Sequence, residues 1–175
     1  YKDTNSKWIQ GELQFDGVEI RNCGQHSNGL AAVNINNSIT SISTNFIKNS
    51  IIRNSKSNAI NIKNSQGFTL EKNTIFESIE KAIYIKDSEN IEIRSNDIIK
   101  VNSVPDNLDV DKKSLNIGIH IDVQKNMSET NIKLEGNRVS SIADFGIGFY
   151  IPFFSCNDGF KNIPQNLQKA NYAHT

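Results

Sequence analysis

The chain has 175 residues, 37% of them hydrophobic and 22% charged, and a formal net charge of +0. That is one domain's worth of sequence, apolar enough for a narrow core and too apolar for plain disorder. The zero balance leaves no phosphate-binding excess, which argues against nucleic acid as a partner, and no apolar run reaches the length that spans a bilayer.

The chain opens at Tyr1, with neither an initiator Met nor a signal peptide, so it reads as a fragment of a longer protein. Trp8-Ile9-Gln10 and Leu13-Gln14-Phe15 both alternate apolar with polar. Asp16-Gly17 is a turn signal, and Val18-Glu19-Ile20 resumes the strand. Residues 22–29 form a loop by composition. Ala32-Val33-Asn34-Ile35 then reads like Ala59-Ile60-Asn61-Ile62 further on. Residues 44–53 supply two more strands, with Lys48-Asn49-Ser50 at the corner between them.

Residues 59–101 carry the same pattern twice. Ala59-Ile60-Asn61-Ile62-Lys63-Asn64-Ser65 is answered by Ala82-Ile83-Tyr84-Ile85-Lys86-Asp87-Ser88, and Lys72-Asn73-Thr74-Ile75 by Ser95-Asn96-Asp97-Ile98. The step is 23 residues, from Asn73 to Asn96. Each copy holds three short alternating runs separated by polar corners, and each run reads as a strand with one buried face. Three strands per repeat at a fixed period predict an all-β, right-handed parallel β-helix in which every turn stacks on the last.

After Val101 the period breaks. Residues 102–115 predict a loop insertion, and the pattern returns at Gly118-Ile119-His120-Ile121. Asn131-Ile132-Lys133-Leu134 and Gly136-Asn137-Arg138-Val139 match earlier strands. Gly146-Ile147-Gly148-Phe149 opens another turn, residues 155–169 predict a second insertion, and Asn171-Tyr172-Ala173-His174 starts a further strand. The whole chain, residues 1–175, is read as one domain continuing beyond both ends.

Stacked corners place Asn49, Asn73, Asn96, Asn137 and Asn171 in one column. Asn tolerates the left-handed backbone of a sharp corner, and its amide can bond to the amides above and below it. The inward columns are expected to be Ile60/Ile83/Ile119/Ile147 and Ile62/Ile85/Ile121/Phe149, each side chain contributing roughly 1.5–3 kcal/mol by burial. Cys23 and Cys156 would lie several turns apart, beyond disulfide reach.

Alternation puts His120 outward and level with Asn61 and Tyr84, so these three are the candidate binding strip, with ordinary surface filling as the plain alternative. His26 and His174 lie far apart along the axis, so no metal cluster is expected, and no cofactor. Asp87, Glu89, Asp109, Asp111 and Asp122 show no paired motif of the kind a glycosidase or a calcium-dependent lyase needs. Asn36-Asn37-Ser38 and Asn126-Met127-Ser128 are glycosylation sequons, a weak signal in a chain so rich in Asn and Ser.

The order of several pieces resembles one family. Phe15-Asp16-Gly17-Val18-Glu19-Ile20-Arg21-Asn22-Cys23-Gly24-Gln25 is similar to the strand and Gly-Gln turn that open the β-helix region of fibrocystin (polyductin), fibrocystin-like proteins and the related cell-surface hyaluronidases. Gly136-Asn137-Arg138-Val139, Gly146-Ile147-Gly148-Phe149, Cys156 and Asn171-Tyr172-Ala173-His174 resemble the later part of the fibrocystin pattern. The hyaluronidase branch carries Ile-His-Phe-His soon after the Gly-Gln turn, where this chain has Ala31-Ala32-Val33-Asn34-Ile35. The resemblance therefore implies a glycoprotein ectodomain at the cell surface, ciliary in some members, anchored to a membrane only through a segment elsewhere in a larger protein. The function expected is a non-catalytic structural or adhesion module. Its partners would be other segments of the same protein, neighbouring surface proteins or glycans. The alternative is a polysaccharide-acting lyase or hydrolase of the β-helix class. A trimeric phage or bacterial surface protein would share the repeat, but no trimer-forming tail is evident.

Overall fold

The computed structural model describes residues 12–38, 44–105, 115–123, 130–143, 146–151 and 172–174. The strands fall into coils of three. The first coil holds β1 (Gln14–Asp16), β2 (Glu19–Arg21) and β3 (Val33–Asn36), with a 3₁₀ turn (His26–Asn28) between the last two. The second holds β4 (Phe46–Lys48), β5 (Ile51–Arg53) and β6 (Ile60–Lys63). The third holds β7 (Gln66–Glu71), β8 (Thr74–Ile79) and β9 (Lys81–Lys86), and the fourth β10 (Glu89–Arg94), β11 (Asp97–Asn102) and β12 (Ile117–Asp122). A fifth coil follows with β13 (Lys133–Glu135), β14 (Arg138–Ile142) and β15 (Ile147–Tyr150), and β16 (Tyr172–His174) begins a sixth.

Every third strand pairs with the next in parallel, building three sheets: β1-β4-β7-β10-β13, β2-β5-β8-β11-β14-β16 and β3-β6-β9-β12-β15. The molecule is a right-handed parallel β-helix, the hand that connections between parallel strands adopt. The expected step holds, since Ile60 faces Ile83, Leu70 faces Ile93 and Ile75 faces Ile98. These columns, with Ile52, Ile62, Ile85, Ile119 and Ile121, are almost wholly removed from solvent. Each coil covers the apolar edge of its neighbour, so no coil is dry alone.

The corners divide a task that the sequence reading had given to one residue. Between the first and second sheets, Gly17, Asn49, Lys72, Ser95 and Gly136 take the left-handed conformation, with φ between 48° and 67°. The next residue in each coil turns its side chain inward. Asn73, Asn96 and Asn137 occupy that inward position and are at most 1% exposed. Asn96 Oδ1 accepts from both the main-chain N and the Nδ2 of Asn73, each at 3.0 Å. Asn96 Nδ2 donates to Asn137 Oδ1 at 2.9 Å and to the Leu70 carbonyl at 3.0 Å. Asn49 does not belong to this ladder. It is exposed and donates to Asp16 Oδ1 at 2.7 Å, while Ser50 takes the inward place and donates its N–H to Asn73 Oδ1. Asn is suited to either position, so the residue type alone does not say which it holds. Asn171 lies outside the described residues.

A second ladder, absent from the sequence reading, runs between the third and first sheets. Ser38 N–H donates to Ser65 Oγ and Ser65 N–H to Ser88 Oγ, both at 3.1 Å.

The last coil corrects one register. Ile147 faces Ile117, and Phe149 faces Ile119, two residues from the expected match. A Cβ on Gly118 would lie 2.4 Å from Val139 Cγ1 and 2.6 Å from the Gly148 carbonyl, so this crossing accepts glycine on glycine. The first expected insertion, residues 102–115, starts one residue late, since Asn102 closes β11, and its residues 106–114 lie outside the described residues, as do Cys156 and the whole second insertion, residues 155–169. Asn116 Nδ2 closes the foot of the first by donating to Ser103 Oγ at 2.8 Å. A further insertion, not anticipated, follows β12: Ile85 is 8 residues from Ile93 but their partners Ile121 and Leu134 are 13 apart, an excess of 5. Cys23 is exposed and free.

Candidate functional site

The outer face of the third sheet carries the candidate site. Strand alternation turns Asn34, Asn61, Tyr84, His120 and Tyr150 outward, and the pairing register stacks them one per coil. The three rings form a continuous strip. The Tyr84 and His120 ring centroids are 4.9 Å apart and tilted by 38°, and His120 and Tyr150 are 4.9 Å apart, edge to face at 78°. All three side chains are half-buried.

The three residues singled out from sequence therefore share a row, but they do not share a role. Asn61 is 1% exposed, with its Oδ1 accepting from Asn58 Nδ2 at 2.8 Å and its Nδ2 donating to Asn34 Oδ1 at 3.3 Å. It braces the strip from below rather than facing a ligand. Tyr84 donates its hydroxyl to Asp122 Oδ2 at 3.0 Å, and burial together with this carboxylate pushes the phenol well above its usual range. Burial, then the charge of Lys81, holds the His120 imidazole below its ordinary value against the opposing pull of Asp122. At neutral pH the imidazole is therefore an uncharged ring.

Sequence reasoning missed Tyr150, because the expected match of Ile119 with Ile147 sets Gly148 opposite His120, whereas the register found, two residues away, sets Tyr150 there. It also missed the lysines. Lys63 and Lys81 each place Nζ 5.5 Å from the Tyr84 ring centroid. The outward positions of β6 and β9 were legible, but the convergence of two coils on one ring was not. Asp87 and Asp122, read separately as a corner and a strand end, sit on successive coils, with Asp87 N–H donating to the Asp122 carbonyl at 2.9 Å.

Other candidates fall elsewhere. His26 lies on the 3₁₀ turn, its Nδ1 3.8 Å from Glu80 Oε2. His174 is in β16, opposite Ser140. Asn36 is exposed at the end of β3, while Asn126, Asp109 and Asp111 lie outside the described residues. Among the described residues, no group of three or more His, Cys, Asp or Glu is placed to hold a metal ion. The outer face of the second sheet is different in kind. It exposes Ile51, Phe76, Ile99 and Tyr172, bordered by the pairs Arg53–Glu19, Lys100–Glu77 and Arg138–Asp97.

The strip thus lies on the flat outer side of a stacked sheet of the solenoid. The chain belongs to the family of the right-handed beta helix region, whose model matches residues 10–150. No curated protein and no solved structure matches it.

Proposed function

We propose that this β-helix is a rigid, non-catalytic interaction module that binds a glycan chain along the outer strip of the third sheet. The observation that carries the reading is the run Tyr84–His120–Tyr150, one ring per coil at 4.9 Å spacing. A pyranose has an apolar C–H face and a polar rim. Aromatic rings with hydroxyl and imidazole edges complement both. The stacked coils fix those rings before binding, so little ordering cost attends association. The motif order that resembles fibrocystin supports placing the module at a cell surface, where glycans abound, and the exposed sequon at Asn36 suits a glycoprotein. The direct test is titration of the chain with a panel of oligosaccharides. Binding that Tyr84→Ala abolishes supports the reading, and binding indifferent to that change overturns it.

A second reading, an enzyme acting on polysaccharide, is favoured by one observation. Asp87 and Asp122 stand on neighbouring coils beside Tyr84 and His120. Paired carboxylates are the requirement of glycoside hydrolysis. Release of new reducing ends from a polymer, lost in both Asp87→Asn and Asp122→Asn, would replace the binding module with this reading.

A further inference from the structure

We infer that the outer face of the second sheet pairs with the same face of a second copy of this chain, the two solenoids lying antiparallel with Phe76 at the centre. The inference does not depend on the glycan reading, because the third sheet is a different side of the solenoid.

Among the described residues, four of the six exposed large apolar side chains lie on this one face: Ile51, Phe76, Ile99 and Tyr172. Apolar residues scattered singly over a surface need no account, but a group on one face marks an interaction site. The charges on the same face say what covers it. The pairing register stacks its outward residues coil upon coil, with Glu19 on the first, Arg53 on the second, Asp97 on the fourth and Arg138 on the fifth. The third coil presents Thr74 and Phe76 between them, both uncharged. Read along the axis, the signs run negative, positive, neutral, negative, positive.

That order is antisymmetric about the third coil, so it is complementary to itself reversed. A copy turned end over end sets Glu19 opposite Arg138 and the coil of Arg53 opposite the coil of Asp97, twice each by two-fold symmetry. Phe76 meets its own counterpart, flanked by Ile51 and Ile99 of both copies. Two copies packed face to face in the same direction would instead lay each coil on its equivalent, with Arg53, Asp97 and Arg138 beside their like. The pairs Arg53–Glu19 and Arg138–Asp97 already exist within each copy, so the contact joins them into networks and buries no charge alone. Glu77, close to the two-fold axis, keeps Lys100 as its partner, and Arg21 falls opposite the neutral Ser140. A hollow of about 360 Å³ lined by Asp97, Ile99, Ser140 and Tyr172 leaves room for the Ile51 side chain of the second copy, which comes to lie over Asp97. Five coils about 4.8 Å apart and strands of up to six residues give a face of roughly 24 by 20 Å, so the pair buries about 1,000 Å² in total. That is the low end for specific association, and it suits a weak, reversible dimer.

Sedimentation equilibrium of the full chain at concentrations up to about 1 mM tests the proposal, with an expected dissociation constant on the order of 100 µM. Phe76→Ser should weaken the dimer about tenfold. Phe46→Ser, an apolar loss on the outer face of the first sheet, should leave it unchanged. Glu19→Arg and Arg138→Glu should each weaken it about fivefold at low salt, and the combined E19R/R138E should return it to the wild-type constant. Circular dichroism and urea midpoints confirm that each variant is folded. A chain that stays monomeric throughout overturns the proposal and leaves the face to a partner of another kind. A dimer indifferent to Phe76→Ser overturns it too, since the contact then lies elsewhere. If the combined reversal fails to restore what each single change loses, the antiparallel facing is wrong.

Discussion

The asparagine ladder lends itself to a direct test with Asn96→Ala. Asn96 is 0% exposed, and its amide makes four hydrogen bonds of 2.9–3.0 Å. Truncation leaves the Asn73 main-chain N–H without its acceptor, in a place water does not reach. The Asn73 Nδ2, the Leu70 carbonyl and the Asn137 Oδ1 each lose one partner as well. A buried group left unpaired costs about 1–3 kcal/mol and a lost bond with a surviving alternative rather less, so the sum is about 3–5 kcal/mol. That is a large fraction of the roughly 5–15 kcal/mol by which domains are stable. Asn49→Ala is the control, because Asn49 is exposed and makes one side-chain bond, to Asp16, from a left-handed backbone. Its expected cost is about 1 kcal/mol. Urea unfolding followed by circular dichroism measures both variants, and hydrogen exchange of the Asn73 amide gives a local readout. If Asn96→Ala is no more destabilising than Asn49→Ala, the ladder does not hold the coils together and the reasoning is wrong.

Glu71 on the first sheet lies between Lys48 and Arg94, 3.4 Å and 3.9 Å from them, in a row running Asp16, Lys48, Glu71, Arg94, Glu135. Glu71→Lys stacks three cations and should cost about 1 kcal/mol at low salt, with recovery in high salt on the same urea assay. Gly118→Ala drives a methyl group against Val139 and the Gly148 carbonyl and should cost about 1–3 kcal/mol, read as a lowered thermal midpoint; an unchanged midpoint would contradict the glycine-on-glycine register. His120 has a folded-state pKa below its ordinary 6.5, so the unfolded chain binds the extra proton first. Stability should therefore fall as pH drops below about 6.5, and level off once the folded imidazole also protonates. Urea midpoints measured across this window should lose that component in His120→Phe.

The sequence by itself determined the architecture, because the 23-residue step repeats both the apolar alternation and the corner polarity. The columns Ile60/Ile83 and Ile75/Ile98 follow directly from that step, since like residues one period apart must lie over one another once the chain coils. The row Asn61, Tyr84, His120 was legible for the same reason. Tertiary structure alone decided what those residues do. Asn61 is buried because Asn58 and Asn34 close around it, and Asn49 stands outside the ladder because a corner needs two residues with different backbone and side-chain directions. Tyr150 reaches His120 because the last coil pairs two residues away from the repeat match, and Lys63 and Lys81, which both approach the Tyr84 ring, come from separate coils. A period fixes which residues share a column. How far side chains extend, and what they meet across the coil, depends on contacts between columns that no single repeat contains.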